Sequence, residues 1–192
     1  SPPQDWTPYV NRVMDSADGG PPDVVASVMS GTRFNTAFYT ALRQAGFKGM
    51  ITDATSYDPK AIADPQSRAA LEGVYPNTTF SPFESSNPQV AAMKADIQKV
   101  GGANATLSSY TAGGYWSADI FMEILKKTGK DLTRDSFLKA ANGFSYGNPG
   151  FGQIAYPHNQ THHNGCGALL QVRSGRFTVA QPLKCFPPVP AQ

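Results

Sequence analysis

Three histidines and one cysteine lie in a short stretch near the C-terminal end of the chain. His158, His162, His163 and Cys166 fall within nine residues, and imidazole and thiolate groups are the usual ligands of zinc. His158 and His162 have the i, i+4 spacing of two side chains on one helix face, which raises the hypothesis of a small metalloenzyme. Turn-forming residues interrupt the tract, however, and no carboxylate lies inside it. We therefore favour an exposed turn between strands and predict no metal site.

The cysteine also has a second interpretation. Cys166 and Cys185 bracket two apolar runs around Ser174–Gly175, a pattern typical of a β-hairpin with a two-residue turn. In that register Cys166 faces Leu183, and a bulge near Pro182 would bring the two cysteines together. The alternative is a pair of free buried thiols. We predict a disulfide, which would hold the hairpin and would indicate an oxidising compartment.

The bulk composition limits the classes of partner. Sixteen basic and fourteen acidic residues give a formal net charge of +2 over 192 residues. Like charges are not grouped in long blocks, so nucleic acid and anionic membranes are poor candidates. No apolar stretch reaches the roughly 18 residues that cross a bilayer. The first residues lack the charged and apolar regions of a signal peptide, and we expect any export signal or lipid anchor to lie outside these residues.

Helix and strand patterns alternate along the chain, which predicts an α/β layer protein. The run 23–29 reads as a buried parallel strand, and an amphipathic helix follows from Thr32 with apolar residues at i, i+3 and i+4 spacing. Strands are also predicted at 48–52 and at 71–75. The polar, proline-containing stretch 76–87 is typical of a crossover between two lobes.

The second half of the chain continues this alternation. Asn87 caps one predicted helix, a long helix runs from Ser109 to Thr128, and Thr133 caps the next. A β segment at 150–156 then leads into the cysteine hairpin. The long helix has these predicted core positions: Tyr110, Ile120, Phe121, Ile124 and Leu125.

The order of these segments resembles the second half of the type I periplasmic solute-binding proteins, which serve ABC transporters for branched-chain amino acids and related molecules. No single motif is diagnostic, and the resemblance depends on the ordered set. Its members are Asp5–Val10, Asp23–Val25, Leu42–Lys48, Glu72–Val74, Ser109–Tyr115, Gly129–Thr133 and Phe151–Ile154. The family is longer than this chain and begins with a lobe of strand-helix units that the chain lacks.

The resemblance implies a fold of Rossmann-like parallel sheets in two lobes with a C-terminal β-hairpin, of which this chain covers the second half. Residues 1–77 would belong to the second lobe and residues 78–143 would complete the first. Residues 144–192 would return to the second lobe and include the hairpin 166–185. We expect the N-terminal half of the protein as another chain or as sequence missing from this one.

The resemblance also implies a function without catalysis and without a cofactor. The protein would be an extracytoplasmic component that binds a small polar or amphipathic solute, such as an amino acid, an amide or a small carboxylate. Hinged closure of the lobes around the solute would then be recognised by a membrane permease. A ligand-sensing receptor ectodomain or regulatory module of the same fold is the alternative, because it would look almost identical over these residues.

Two loops fall at cleft positions of that fold. The implied ligand-binding residues are Ser30, Gly31, Thr32, Thr55, Ser56 and Tyr57. In the branched-chain binders an acidic residue of the second loop pairs with the ligand ammonium group, whereas this chain has Thr55 or Ser56 there, with Asp53 nearby. The ligand is therefore expected to lack an α-amino group. The alternative is that these polar residues make ordinary capping and turn hydrogen bonds.

Overall fold

The computed structural model describes residues 3–29 and 31–187, which form an α/β arrangement of seven helices and seven strands. The helices are α1 (Thr7–Met14), α2 (Thr32–Gln44), α3 (Pro59–Ala63), α4 (Pro65–Leu71), α5 (Pro88–Gly101), α6 (Ser109–Thr128) and α7 (Arg134–Ala141). The strands are β1 (Val24–Ser27), β2 (Met50–Asp53), β3 (Tyr75–Thr78), β4 (Ser145–Asn148), β5 (Gly152–Ala155), β6 (Cys166–Arg173) and β7 (Arg176–Cys185). Within the described ranges, none of the helices has the length and apolar character of a membrane span.

The main sheet has five strands in the order β1-β2-β3-β6-β7. β1 pairs with β2 in parallel, from Val24 opposite Met50 to Ser27 opposite Asp53, and β2 pairs with β3 in parallel as well. Since parallel neighbours need a crossover, α2 connects β1 to β2, and α3 and α4 connect β2 to β3. The α/β class predicted from the sequence is confirmed, and the register places the ends of β1 and β2 side by side.

The described residues form two compact units. The first unit runs from the N-terminus to Thr78 and includes Leu169–Ala180; the second comprises Thr79–Ala168 and continues from Gln181. The first unit packs the apolar face of α2 and the ends of α4 against its sheet, and these side chains are almost fully buried: Tyr39, Leu42, Ile51, Leu71, Leu170 and Val172. The second unit has its own core, which contains Val90, Met93, Trp116, Ile124, Phe144 and Phe151.

The strand predicted at 71–75 is wrong, because this segment is mostly the end of a helix and a turn. Asp64 accepts a hydrogen bond from the backbone N–H of Ser67 at 2.7 Å, so α4 begins there and continues to Leu71. Gly73 has a φ of +74° and donates its N–H to the carbonyl of Val172 at 2.9 Å. The strand therefore begins only at Tyr75.

The boundaries predicted for α6 agree with the structure, but two of its predicted core positions do not. Tyr110 is 64% exposed and Phe121 is 50% exposed. The buried residues are Ala112, Trp116 and Ile124, which lie four and then eight positions apart along one stripe, with the half-buried Ile120 between the last two. Which face of α6 is buried depends on the segments that pack against the helix. Because apolar residues of similar hydropathy occur on both faces, the sequence pattern does not identify the buried one.

The C-terminal hairpin is confirmed. β6 and β7 are joined by Ser174 and Gly175, whose φ values of 50° and 69° are those of a tight hairpin turn. Cys166 and Cys185, the first residue of β6 and the last of β7, form the disulfide expected from the sequence. Beyond it, the N–H of Phe186 donates to the carbonyl of Gly165 at 2.9 Å, so backbone pairing continues past the disulfide.

Candidate functional site

The candidate site lies in the first unit, at the edge where β1 and β2 end. Ser27 and Asp53 are the last residues of these strands and are partners in the register. Ser27 is buried, and Asp53 is 0% exposed. In parallel sheets the loops that leave the carboxyl ends of neighbouring strands come together and commonly bind ligands. Here these loops are 28–31, which leads into α2, and 54–58, which leads into α3.

Asp53 is the centre of a buried hydrogen-bond cluster. Its Oδ1 accepts from the backbone N–H groups of Thr55 and Ser56, at 2.8 and 2.6 Å. Its Oδ2 accepts from the hydroxyl of Tyr39 at 2.9 Å. Burial, and then the negative charge of Asp53, raise the pKa of Tyr39 far above its ordinary value of 10.0. The phenol therefore stays protonated and donates to the carboxylate at any physiological pH.

Asn35 of α2 connects the two loops. Its side-chain oxygen accepts from the hydroxyl of Ser27 at 3.1 Å, and its Nδ2 donates to Oγ1 of Thr55 at 2.6 Å and to Oγ of Ser56 at 3.3 Å. The hydroxyl of Thr55 in turn donates to the carbonyl of Met29 at 3.2 Å. The loop after β1 and the loop after β2 are therefore in direct contact at this edge.

Gly31 and Thr32 form the start of α2. Gly31 is the N-cap residue with a φ of 90°, a conformation that side chains disfavour. Within the described part of the chain no side chain caps this helix start, although capping side chains are present at α3, α4, α5, α6 and α7. The first N–H groups of a helix favour anions and carbonyl oxygens. Arg33, the next residue, is exposed.

The other sequence-predicted site residues differ in accessibility. Thr55 is half-buried, whereas Ser56 and Tyr57 are almost completely buried. The Tyr57 ring packs edge-on against Phe177 of β7, with centroids 5.0 Å apart. Ser30 lies outside the described residues. The groups that line the surface at this edge are therefore the backbone at Gly31 and Thr32 and the side chain of Thr55, with Ser56 and Tyr57 behind them.

The histidine tract has no arrangement suited to a metal. His158 and His162 stack face to face, with ring centroids 4.5 Å apart and an interplanar angle of 7°. Nδ1 of His163 accepts from the backbone N–H of Gly165 at 3.0 Å, and Cys166 is in the disulfide. In residues 3–29 and 31–187 no three His, Cys, Asp or Glu side chains converge to hold an ion. The metalloenzyme hypothesis thus gains no support from the geometry.

Sequence reasoning missed two residues of the cluster, Asn35 and Tyr39. They lie one helical turn apart on the buried face of α2, and both are 0% exposed. The amphipathic pattern of α2 is defined by its small and apolar residues, and it therefore does not indicate that an asparagine is buried among them. The sequence feature that could have revealed them is their i, i+4 spacing, because a polar residue four positions before a buried tyrosine faces the same strands.

Comparisons with known proteins identify the family and the fold. The family model described as "Periplasmic binding protein" matches residues 1–176, and the chain belongs to this family. A search of curated protein sequences gave no significant match.

Three solved structures illustrate the fold. A fatty acid ABC transporter substrate-binding protein from Thermomonospora curvata superposes with a TM-score of 0.74 at 18% identity, covering 94% of this chain and 47% of its own. A branched-chain amino acid ABC transporter protein from Thermus thermophilus with bound valine gives 0.70 at 19% identity, covering 95% and 50%. A solute-binding protein from R. palustris in complex with benzoate gives 0.65 at 14% identity, covering 96% and 49%. The chain thus has the fold of type I periplasmic binding proteins and spans about half the length of these relatives.

Proposed function

We propose that this chain is part of the solute-binding component of an ABC-type uptake system, located outside the cytoplasm. The observation that carries the proposal is the contact between the two loops at the ends of β1 and β2, where the Thr55 hydroxyl meets the Met29 carbonyl at 3.2 Å. This edge of a parallel sheet is where proteins with such sheets bind small ligands. Of the ligand-binding residues expected from the sequence, Gly31, Thr32 and Thr55 are proposed as direct contacts and the buried Ser56 and Tyr57 as support behind them. Ser30 stays a proposal from the sequence alone.

The ligand proposed for this site is a small carboxylate or amide without an ammonium group. The start of α2, which no side chain of the described residues caps, offers backbone N–H groups, and the exposed Arg33 adds positive charge beside it. Asp53, the carboxylate at the start of the second loop, is fully buried and already accepts from two backbone amides and a phenol. Asp53 therefore does not supply the carboxylate that would pair with a ligand ammonium group.

Capture would follow the hinged mechanism implied by the family. The chain spans about half the length of its solved relatives, so the complete protein is proposed to include an N-terminal half that supplies the opposite side of the cleft. A ligand that contacts both lobes stabilises the closed form, and a membrane permease would recognise that form. No bond in the solute changes, and binding is the output.

A thermal-shift screen of the complete protein, with this chain and its N-terminal half, tests the proposal. The decisive ligand pair is L-leucine and isocaproate, which differ by the α-amino group; benzoate and isobutyramide extend the series. A compound at about a hundred times its dissociation constant stabilises the folded state by about 2.7 kcal/mol, and Tm of a protein about twice the length of this chain should rise by about 3 °C. We expect isocaproate to raise Tm more than L-leucine does. A larger shift with L-leucine would refute the ligand class, and no shift with any compound would count against the binding function.

A matched pair of variants locates the site. Thr55→Val removes the hydroxyl that lies between the loops and should weaken binding of the active compound about tenfold, the effect of losing one to two hydrogen bonds. Thr40→Val makes the same change on the exposed side of α2, where the hydroxyl contacts only the carbonyl of Thr36, and should leave the affinity unchanged. Equal affinities for the two variants would exclude this edge as the site.

A further inference from the structure

We infer that Asn35 and Asp53 are positioning residues that hold the two candidate ligand loops in their binding geometry before any ligand arrives. The inference rests on the proposed function, because it assigns a role to residues that do not themselves contact the solute. Both side chains are 0% exposed and are therefore out of reach of a ligand at the surface. Their hydrogen bonds nevertheless end on the backbone and hydroxyl groups of the loop that contains Thr55.

The first step of the argument concerns the charge of Asp53. A buried carboxylate is costly unless it is paired or well hydrogen-bonded, and no cationic side chain pairs with it among the described residues. Three donors stabilise it instead: the N–H groups of Thr55 and Ser56 and the hydroxyl of Tyr39. Because opening of the loop would remove two of these three donors from the buried carboxylate, Asp53 opposes movement of residues 54–56 away from the strand end.

The second step concerns the connection between the loops. The Asn35 side chain contacts Ser27 at the end of β1 on one side and Thr55 and Ser56 on the other. Asn35 belongs to α2, the helix whose uncapped start carries Gly31. One amide side chain therefore joins the strand before the first loop, the helix after it, and the second loop. Movement of the second loop would break the bonds from Asn35, and movement of Met29 in the first loop would break its bond with the Thr55 hydroxyl that Asn35 holds.

The consequence is a binding edge that does not have to order itself when the solute binds. Ordering of flexible loops reduces affinity, and a preformed site avoids that cost. Thr55 shows the coupling most clearly, because its backbone N–H is held by Asp53 and its hydroxyl lies between Asn35 and Met29. The half-buried side chain of Thr55 is thus oriented by two buried residues.

Amide hydrogen exchange on the ligand-free complete protein tests this role without knowledge of the solute. In the wild type the N–H groups of Thr55 and Ser56 should exchange slowly. Asp53→Ala removes Oδ1, the oxygen that accepts from both amides, and exchange at these two amides should accelerate about tenfold or more relative to the rest of the first unit. Asp53→Asn keeps one acceptor oxygen and should restore most of the protection. If Asp53 only added global stability, Asp53→Ala and Asp53→Asn would not differ specifically in the exchange rates of the Thr55 and Ser56 amides.

Asn35→Ala and a control variant complete the experiment. Asn35→Ala should accelerate exchange in segments 28–33 and 54–57 together by about threefold or more, and it decides the matter if Asp53→Ala does not fold. Asp64→Asn makes the carboxylate-to-amide change at an exposed cap of α4 and should leave both segments unchanged. Wild-type exchange in both Asp53→Ala and Asn35→Ala would overturn the inference.

Affinity separates this inference from the proposed function. With isocaproate, or another compound of the series that binds the complete wild-type protein, Asn35→Ala should weaken binding about tenfold while Asp64→Asn has no effect. If none of the compounds binds the wild type, the proposed ligand class fails while the exchange data still decide the positioning role. If exchange accelerates in Asn35→Ala but affinity does not change, the loops are held by this cluster for stability alone and the inference is refuted.

Discussion

The disulfide of the C-terminal hairpin allows one prediction to be worked through in numbers. Cys166 and Cys185 are separated by 19 positions, and the loop between them consists almost entirely of the paired strands β6 and β7. Replacing both cysteines with serine, or reducing the bond, releases this loop in the unfolded chain. Chain entropy then favours unfolding by about 3 kcal/mol for a loop of this length.

The expected change in Tm follows from the size of the chain. For proteins of roughly this length, each kcal/mol shifts Tm by about 2–4 °C, so losing the disulfide should lower Tm by about 6–12 °C. The effect should be largest in the second unit, which contains both cysteines. Amides near the disulfide, such as that of Phe186 in its bond to Gly165, should lose hydrogen-exchange protection first.

Thermal and urea unfolding, each with and without a phosphine reductant, measure the effect. The Cys166→Ser/Cys185→Ser variant is the control, because a reductant should lower the Tm of the wild type but leave that of the variant unchanged. A reduction-induced shift below about 2 °C in the wild type would refute the reasoning. It would mean that the hairpin keeps its backbone pairing in the unfolded chain, and that this pairing constrains the chain as much as the covalent bond does.

Three further predictions concern stability. Val172→Ala, at a side chain that is 0% exposed, should cost about 2 kcal/mol in urea unfolding, whereas the same change at Val100, which is 89% exposed, should cost less than about 0.5 kcal/mol. Thr133→Ala deletes the oxygen that caps α7 and should cost about 1 kcal/mol, so wild-type stability of this variant would contradict the assigned cap. Hydrogen bonds from the Ser67 backbone N–H hold the pKa of Asp64 below its ordinary value of 3.8. A lowered pKa adds stability that is present above the ordinary value and is lost as the pH falls through the folded-state value. Acid titration of unfolding should therefore show a steeper loss in the wild type than in Asp64→Asn, and parallel curves would exclude this contribution.

Much of the architecture could be predicted from the sequence because its signals are local. The cap residues Asn87, Ser108 and Thr133 accept hydrogen bonds at the starts of α5, α6 and α7, and a cap depends on only a few neighbouring positions. In the same way Ser174–Gly175 specifies a two-residue turn, which brings the start of β6 and the end of β7, and with them the two cysteines, to the same end of the hairpin. The pairing was predictable because both partners belong to one hairpin.

Other features were not predictable from the sequence, because the same residues suited more than one secondary structure or more than one buried helix face. Leu71–Tyr75 has strand-like residues, yet the cap at Asp64 extends a helix through Leu71. In α6 apolar side chains occur on more than one face, so its periodicity did not decide that Trp116 is buried while Phe121 is half exposed. Packing partners distant in sequence decide between such alternatives.

The sequence by itself determined the α/β alternation, the helix starts and the disulfide hairpin, since each depends on backbone conformation and hydrogen bonding over a few residues. Only the tertiary structure decided the buried polar cluster at the candidate site. Asn35 and Thr55 are 20 residues apart and meet only because β1 and β2 align Ser27 with Asp53. That register results from the burial of a whole sheet against α2, and no short segment contains it.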